Sequence, residues 1–265
     1  MKQNYFEPTW SSIKQHQTPN WFKKAKFGIY AHWGIYSVPA AGPNVTWYPY
    51  WMYRPPSPQF DYHCKHYGHP SKFGYKDFIP MFTAEKFNAE EWADLYYRSG
   101  AKFAGPVAEH HDGFPMWNCS DTEWCASKMG PKRDIVGELA KAIRNKGMKY
   151  MVAMHHAENW FFFPHWNNDF DTSKKEYESL YGELHNLDLI GNQAVYPDHW
   201  GRKNEHQDKP SKAFHDRWLN RLKEVVDNYK PDYVWFDLEL DLFMKSIKKI
   251  FFHIIITKKL SGVMK

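Results

Sequence analysis

The sequence predicts an α/β protein built on a parallel sheet, best matched by a (β/α)8-like (TIM) barrel of which only four or five βα units are present. Short, near-continuously apolar runs alternate with stretches of helical periodicity, as expected of strands covered on both faces. Long loops follow the strands, whereas Ser99-Gly100, Lys146-Gly147 and Lys230-Pro231 make tight returns into them. That asymmetry suits a barrel whose site is built on the loops at the C-terminal ends of its strands. A doubly wound sheet shares the alternation, but no strand is followed by the G-x-G-x-x-G turn of a dinucleotide site. The 265 residues would ordinarily hold about eight units; long loops take up the length instead, so the barrel is expected to be incomplete.

The elements follow in order. "KFGIYAHWGIY" (26–36) is the first strand, and an aromatic- and proline-rich loop, "VTWYPYWMYRPPSPQFDYHCKHYGHP", comes after it. "NAEEWADLYYRSG" has an acidic start, helical apolar spacing and Gly100 as its stop. "AKFAGPVAEHH" is the second strand, and "KRDIVGELAKAIRNKG" a helix with Ile135, Leu139, Ala142 and Ile143 on one face and Gly147 at its end. "MKYMVAMHH" is the third strand, with a polar and aromatic loop over 157–210 behind it. "SKAFHDRWLNRLKEVVDNYKP" is a helix capped by Ser211 and ended before Pro231. "DYVWFDLEL" is the fourth strand, "LFMKSIKKI" a short helix, and "FFHIIITKK" a candidate fifth strand.

Composition narrows the chemistry. Charged residues are 25% of the chain and the net charge is +5, spread along it apart from a Lys-rich tail. No arginine-rich block or nucleic-acid motif occurs, so a nucleic-acid partner has little support. Aromatics reach 18%, with 13 Trp. Rings with one polar handle suit binding sites, and the C–H faces of sugars stack on them, although about half should be core. Three cysteines (Cys64, Cys119, Cys125) do not make a disulfide framework, though Cys119 and Cys125 could close a small loop in an oxidising compartment. The N-terminus has no apolar segment of the signal-peptide kind, and "IFFHIIITKK" is too short to span a bilayer, so no membrane partner is expected. Asn44-Val45-Thr46 and Asn118-Cys119-Ser120 are glycosylation triplets, of weight only in a eukaryotic secretory route.

Each strand delivers polar groups at its C-terminal end: His32 and Trp33, then Glu109 to Asp112, then His155 and His156, then Trp235, Asp237 and Glu239. Four strands ending this way at one rim point to a shared pocket. Successive strand residues face opposite ways, so adjacent His110 and His111 make a poor chelating pair while the strand stays regular. The alternative is that the strand ends and both rings turn toward a ligand's hydroxyls, which neutral imidazole matches with one donor and one acceptor. Asp237 is the best nucleophile candidate, since a carboxylate straight after Tyr233-Val234-Trp235-Phe236 is costly without a job or a partner. Glu239 and Asp241 read as loop acids unless the strand continues. Retaining glycosidases need two carboxyl groups about 5–5.5 Å apart; Glu109 is near enough to consider, but equally plausible as support. No G-x-S-x-G or papain-like cysteine context occurs.

"WFKKAKFGIYAHWGIYSVPA", "WYPYWMY", "GAKFAGPVAEHHDGF", "GPKRDIVGEL" and "DYVWFDLEL", in that order, resemble the α-L-fucosidases of glycoside hydrolase family 29 over roughly residues 21–240. The resemblance implies a (β/α)8-like catalytic barrel followed by a C-terminal β-sandwich, retaining exo-hydrolysis of fucosylated oligosaccharides or glycoconjugates, and no metal or other cofactor. By position it implies that Asp237 is the catalytic nucleophile. It implies that His32, Trp47, His110, His111 and Trp235 bind substrate, with His155 or His156 at a further pocket position. Thr46 stands where many members have glutamate, and Leu238 where glycine usually follows the aspartate. The motifs fade after about Leu242, leaving residues 1–242 as the N-terminal part of the barrel and 243–265 as a divergent tail. The acid/base carboxylate and the β-sandwich are not matched. A catalytically impaired or sugar-binding fragment is therefore the rival expectation, and a metal-dependent barrel hydrolase using His32 and the His pairs a third.

Overall fold

The computed structural model describes residues 6–185, 210–237, 248–250 and 252–254. Four strands, β1 (Gly28–Ala31), β2 (Phe103–Glu109), β3 (Lys149–Met154) and β4 (Tyr233–Phe236), form one sheet in the order β1-β2-β3-β4, every pair parallel. Sequential parallel pairing is the arrangement of a barrel wall, and an arc of four strands is the incomplete barrel that the unit count predicts. All strand C-termini therefore lie at one rim.

Helices α1 (Trp10–Ile13) and α2 (Asn20–Ala25) precede β1. Between β1 and β2 come α3 (Tyr48–Trp51), α4 (Pro58–His66) and α5 (Ala89–Arg98). Helix α6 (Ile135–Asn145) crosses to β3, followed by α7 (Asn159–Phe162), α8 (Glu178–Tyr181) and α9 (Lys212–Tyr229) on the way to β4. The three long crossover helices begin at side-chain caps. Asn88 Oδ1 accepts from the N–H groups of Glu90 and Glu91, Asp134 Oδ1 from Gly137, and Ser211 Oγ from Phe214. Each cap satisfies amide donors that the helix itself leaves unpaired.

One face of the sheet carries Ala104, Ala108, Tyr150, Val152 and Met154, which join Ile135, Leu139, Ile143, Trp218 and Val225 of the helices in a continuous buried core. The opposite face, which looks toward the barrel axis, begins with Phe103 and Tyr233. Phe22 of α2 packs on both rings, at 5.9 and 5.0 Å, and so plugs the N-terminal end. Higher on this face the sheet is bare enough to leave Tyr30 40% and Trp235 41% exposed. Gly105 marks how closely the strands sit: a Cβ there would lie 1.7 Å from the Met151 carbonyl oxygen.

The aromatic stretch after β1 is not a plain loop. Helices α3 and α4 fold it into a second packed layer in which Tyr48, Tyr50, Tyr53, Tyr75 and Phe78 are buried. Tyr48 Oη bonds His63 Nδ1 at 2.9 Å, and the hydroxyls of Tyr53 and Tyr181 both donate to the Asp171 carboxylate, at 2.8 and 2.6 Å. Many aromatics thus serve core packing with a hydrogen-bonded end. The candidate fifth strand is corrected at residues 252–254, which are helical, with Phe252 packed against Trp10 at 5.8 Å. The rest of that segment, most of the short helix before it, and Leu238, Glu239 and Asp241 lie outside the described residues. Cys119 and Cys125 are buried and unbonded, so they close no loop. Cys119 Sγ instead donates to Asp121 Oδ1 at 3.0 Å.

Candidate active site

The rim is assembled by strand ends that stop being regular. In β2 the register with β3 shifts between Val107 and Glu109, and the strand ends at Glu109. His110 and His111 follow it into a turn closed by Gly113 N–H to the His110 carbonyl at 3.2 Å. Gly113 has φ +75°, and a Cβ there would lie 2.0 Å from the Leu180 carbonyl oxygen, so only glycine fits. Asp112 pins the same turn. Its Oδ1 accepts from Phe114 N–H at 3.2 Å and its Oδ2 from the Tyr75 hydroxyl at 2.8 Å. Burial pushes the Asp112 carboxyl up to about 7, against those two hydrogen bonds.

Released from the strand, both histidines reach the rim, as the ended-strand reading requires. The His110 and His111 centroids are 4.2 Å apart. His155 from the end of β3 stands 5.3 Å from each, and His32 from the end of β1 stands 5.5 Å from His110 and 5.3 Å from His155. Burial and the neighbouring rings lower all these pKa values that resolve: His155 falls to about 2, His110 lies well below the usual range, and His32 is lowered despite Asp237 beside it. His32, His110 and His155 are therefore held neutral at physiological pH.

His111 Nδ1 lies 3.0 Å from the His155 carbonyl oxygen and 3.3 Å from Glu158 Oε2. Two acceptors at one nitrogen place a ring proton on Nδ1. Trp47 packs edge-on to His111 and to Phe162, at 5.3 Å in each case. The Tyr36 ring lies 4.9 Å from His110, with its hydroxyl buried and without a hydrogen-bond partner among the described residues.

Asp237 follows β4 directly, and its Oδ2 is 3.9 Å from His155 Nδ1. Its side chain is 37% exposed. Partial burial raises its pKa, offset in part by His32. Trp235 lies two residues earlier in the alternating strand, so it shares the axis face with Asp237 and Tyr233. The structure thus brings His32, Trp47, His110, His111, His155 and Asp237 to one place, with Trp235 exposed on the adjoining wall.

His156 is turned the other way. Its Nδ1 is 2.8 Å from Glu109 Oε1, and its ring stacks on Phe214 of α9 at 5.3 Å. Adjacent residues at a strand end project to opposite sides, so one pair is split between pocket and helix layer. Glu109 faces the same layer. Arg221 Nη1 contacts it directly, while Arg221 Nε donates to Asp121 at 3.0 Å and its other donors reach the Gly113 and Ser179 carbonyls. Burial alone would raise the Glu109 pKa, but Arg221 and His156 hold it below the usual range. It is a fixed anion under the rim, unsuited to delivering a proton.

Arg221 is the residue that reading the sequence missed. It sits beside Trp218, Leu222 and Val225 on the apolar stripe of α9, and a cation there needs a buried acid. A separate cavity of 570 Å3 is lined by residues that include Tyr50, Trp51, Arg54, Trp166 and Asp169. None of the clustered histidines borders it.

A model of the alpha-L-fucosidase family matches residues 1–263, which runs through the segment where the motifs fade. The chain is 36% identical over 239 residues to the plasma alpha-L-fucosidase of Homo sapiens, covering 88% of this chain and 42% of that protein. It is 32% identical over 256 residues to the alpha-L-fucosidase of Dictyostelium discoideum, covering 93% and 48%. Among solved structures, the Thermotoga maritima alpha-fucosidase in complex with fucose matches with a TM-score of 0.72 and 32% identity, over 96% of this chain and 54% of that one. The chain therefore spans about half the length of the relatives it matches. Motifs, barrel wall and rim agree with these matches: the chain belongs to the alpha-L-fucosidase family.

Proposed function

We propose that residues 1–242 form the N-terminal part of the catalytic barrel of an exo-acting, retaining alpha-L-fucosidase, acting on fucosylated oligosaccharides or glycoconjugates. The observation that carries this reading is the convergence of His32, His110 and His155 from three strand ends, with Asp237 Oδ2 3.9 Å from His155 Nδ1. Among the described residues, buried nitrogens of His110 and His155 have no hydrogen-bond partner. Neutral imidazoles of this kind match sugar hydroxyls as donor or acceptor. His111, its Nδ1 engaged by the His155 carbonyl, leaves Nε2 as its edge toward the sugar. Trp47 and Trp235 offer ring faces to the apolar side of the sugar.

In this reading an Asp237 carboxylate oxygen attacks the anomeric carbon as the glycosidic C–O bond breaks, and the leaving oxygen takes up a proton. Water then hydrolyses the glycosyl-enzyme ester and regenerates the carboxylate. Asp237 suits the nucleophile role because it is partly exposed and faces the pocket. Glu109 does not suit the acid/base role, because Arg221 and His156 occupy it. His156 acts here as support for Glu109 rather than as a sugar contact.

Turnover of an aryl α-L-fucoside by the purified chain tests the reading, since its leaving group needs little protonation. Turnover that disappears in Asp237→Ala supports it. Fucose binding without turnover in the parent chain favours the silent sugar-binding fragment.

A further inference from the structure

We propose that the His32, His110 and His155 triangle is also a binding site for a zinc-class divalent cation, with Asp237 at its fourth corner. The ring centroids are 5.5, 5.3 and 5.3 Å apart, a nearly equilateral set. A tetrahedral zinc with bonds of about 2.0–2.1 Å to three imidazole nitrogens places those centroids about 5.2 Å apart. In the sequence, adjacent His110 and His111 argued against chelation by that pair, while His32 with the His pairs stood only as a third reading. The triangle takes one histidine from each of three strand ends, which strand alternation does not forbid.

Three further observations point the same way. One potential ligand atom from each of His32, His110 and His155 lies within 4.8 Å of the others, and the same holds for His111, His155 and Asp237. Small ring rotations bring such atoms to the roughly 3.3 Å separation of a tetrahedral edge. Among the described residues, His110 Nδ1 and both ring nitrogens of His155 are buried without a hydrogen-bond partner, the two residues being 4% and 2% exposed. His32 is exposed at the mouth and gives the ion a way in.

The donor set selects the metal. Three imidazoles and at most one carboxylate suit zinc, copper or nickel and disfavour magnesium or calcium, which take oxygen ligands. Among the described residues neither nitrogen of His155 has a hydrogen-bond partner, so none of them orients that ring from behind, as an acceptor does in a permanent zinc site. The site is therefore reversible and of modest affinity. An ion held there would sit against Asp237 and exclude a sugar. That exclusion rests on the fucosidase reading, whereas the metal binding does not.

Calorimetric titration of the metal-free full chain with Zn2+ tests the site, with far-UV circular dichroism to confirm that each variant is folded. One saturable ion per chain is expected, weakened at least tenfold in His110→Gln and in His155→Gln. It should be unchanged in His66→Ala, whose ring is exposed on α4. Mg2+ should not bind. Should a variant fail to fold, the visible spectrum of the Co2+-loaded parent chain decides: intense four-coordinate bands support the site, and weak octahedral bands overturn it. Absence of saturable Zn2+ binding, or binding that survives both glutamine variants, overturns it as well.

Discussion

Replacing His155 with glutamine removes a titratable group that folding holds neutral, and the effect on stability has a definite sign. In the folded chain burial and the rings of His111 and His32 lower its pKa to about 2. In the unfolded chain it titrates near 6.5. A depressed pKa contributes stability that is complete above the unfolded value and is lost as pH falls toward the folded one. At pH 4.5 the wild-type chain has therefore lost about 3 kcal/mol, from roughly two pH units at about 1.4 kcal/mol each, which the glutamine variant does not lose. Asp112 titrates in the same window with opposite sign, its pKa being raised to about 7. It is common to both proteins and cancels in the difference. Urea unfolding of both proteins at pH 7.5 and 4.5 measures the effect. The variant should gain about 3 kcal/mol relative to wild type on acidification, whatever its offset at pH 7.5. A wild-type-to-variant difference independent of pH would refute the neutral, buried imidazole.

Three other outcomes follow from the packing. Arg221→Met leaves Glu109 buried without its cation and should cost about 3–5 kcal/mol in urea unfolding, part of it recovered when Glu109→Gln is added. Gly105→Ala drives a methyl group into the Met151 carbonyl and should destabilise the chain by more than about 3 kcal/mol, read as a loss of Tm. Trp47→Ala removes the ring packed on His111 and should weaken L-fucose binding about tenfold in titration calorimetry, with Tm changed by only a few degrees.

Much of the scaffold was legible because local signals and global fold agree. Strands β1 to β4 and helices α5, α6 and α9 lie where apolar runs, caps and glycine stops place them. Ser211 caps α9 as expected. The rim was legible for a related reason: polar groups at the ends of apolar strands have few places to go except a shared pocket. What failed were matters of orientation and partnership. The ended-strand alternative for His110 and His111 held, since β2 stops at Glu109, but sequence adjacency cannot say that His156 is drawn outward by Glu109. The aromatic run after β1 read as a long loop. Its tyrosines find buried acceptors such as Asp171 and His63 instead, contacts too distant in sequence to foresee. Arg221 was hidden for the same reason, since its acid partner lies 112 residues away.

The central claim is that Asp237 is the nucleophile of a fucoside-cleaving pocket, and covalent trapping tests it most directly. A 2-deoxy-2-fluoro-L-fucosyl fluoride slows both steps, but its fluoride leaves without help from an acid. Mass spectrometry of the digested chain should then find one fluorofucosyl group on the peptide carrying Asp237 and none in Asp237→Ala. A folded chain that stays unlabelled, or a label on another carboxylate, would contradict the account.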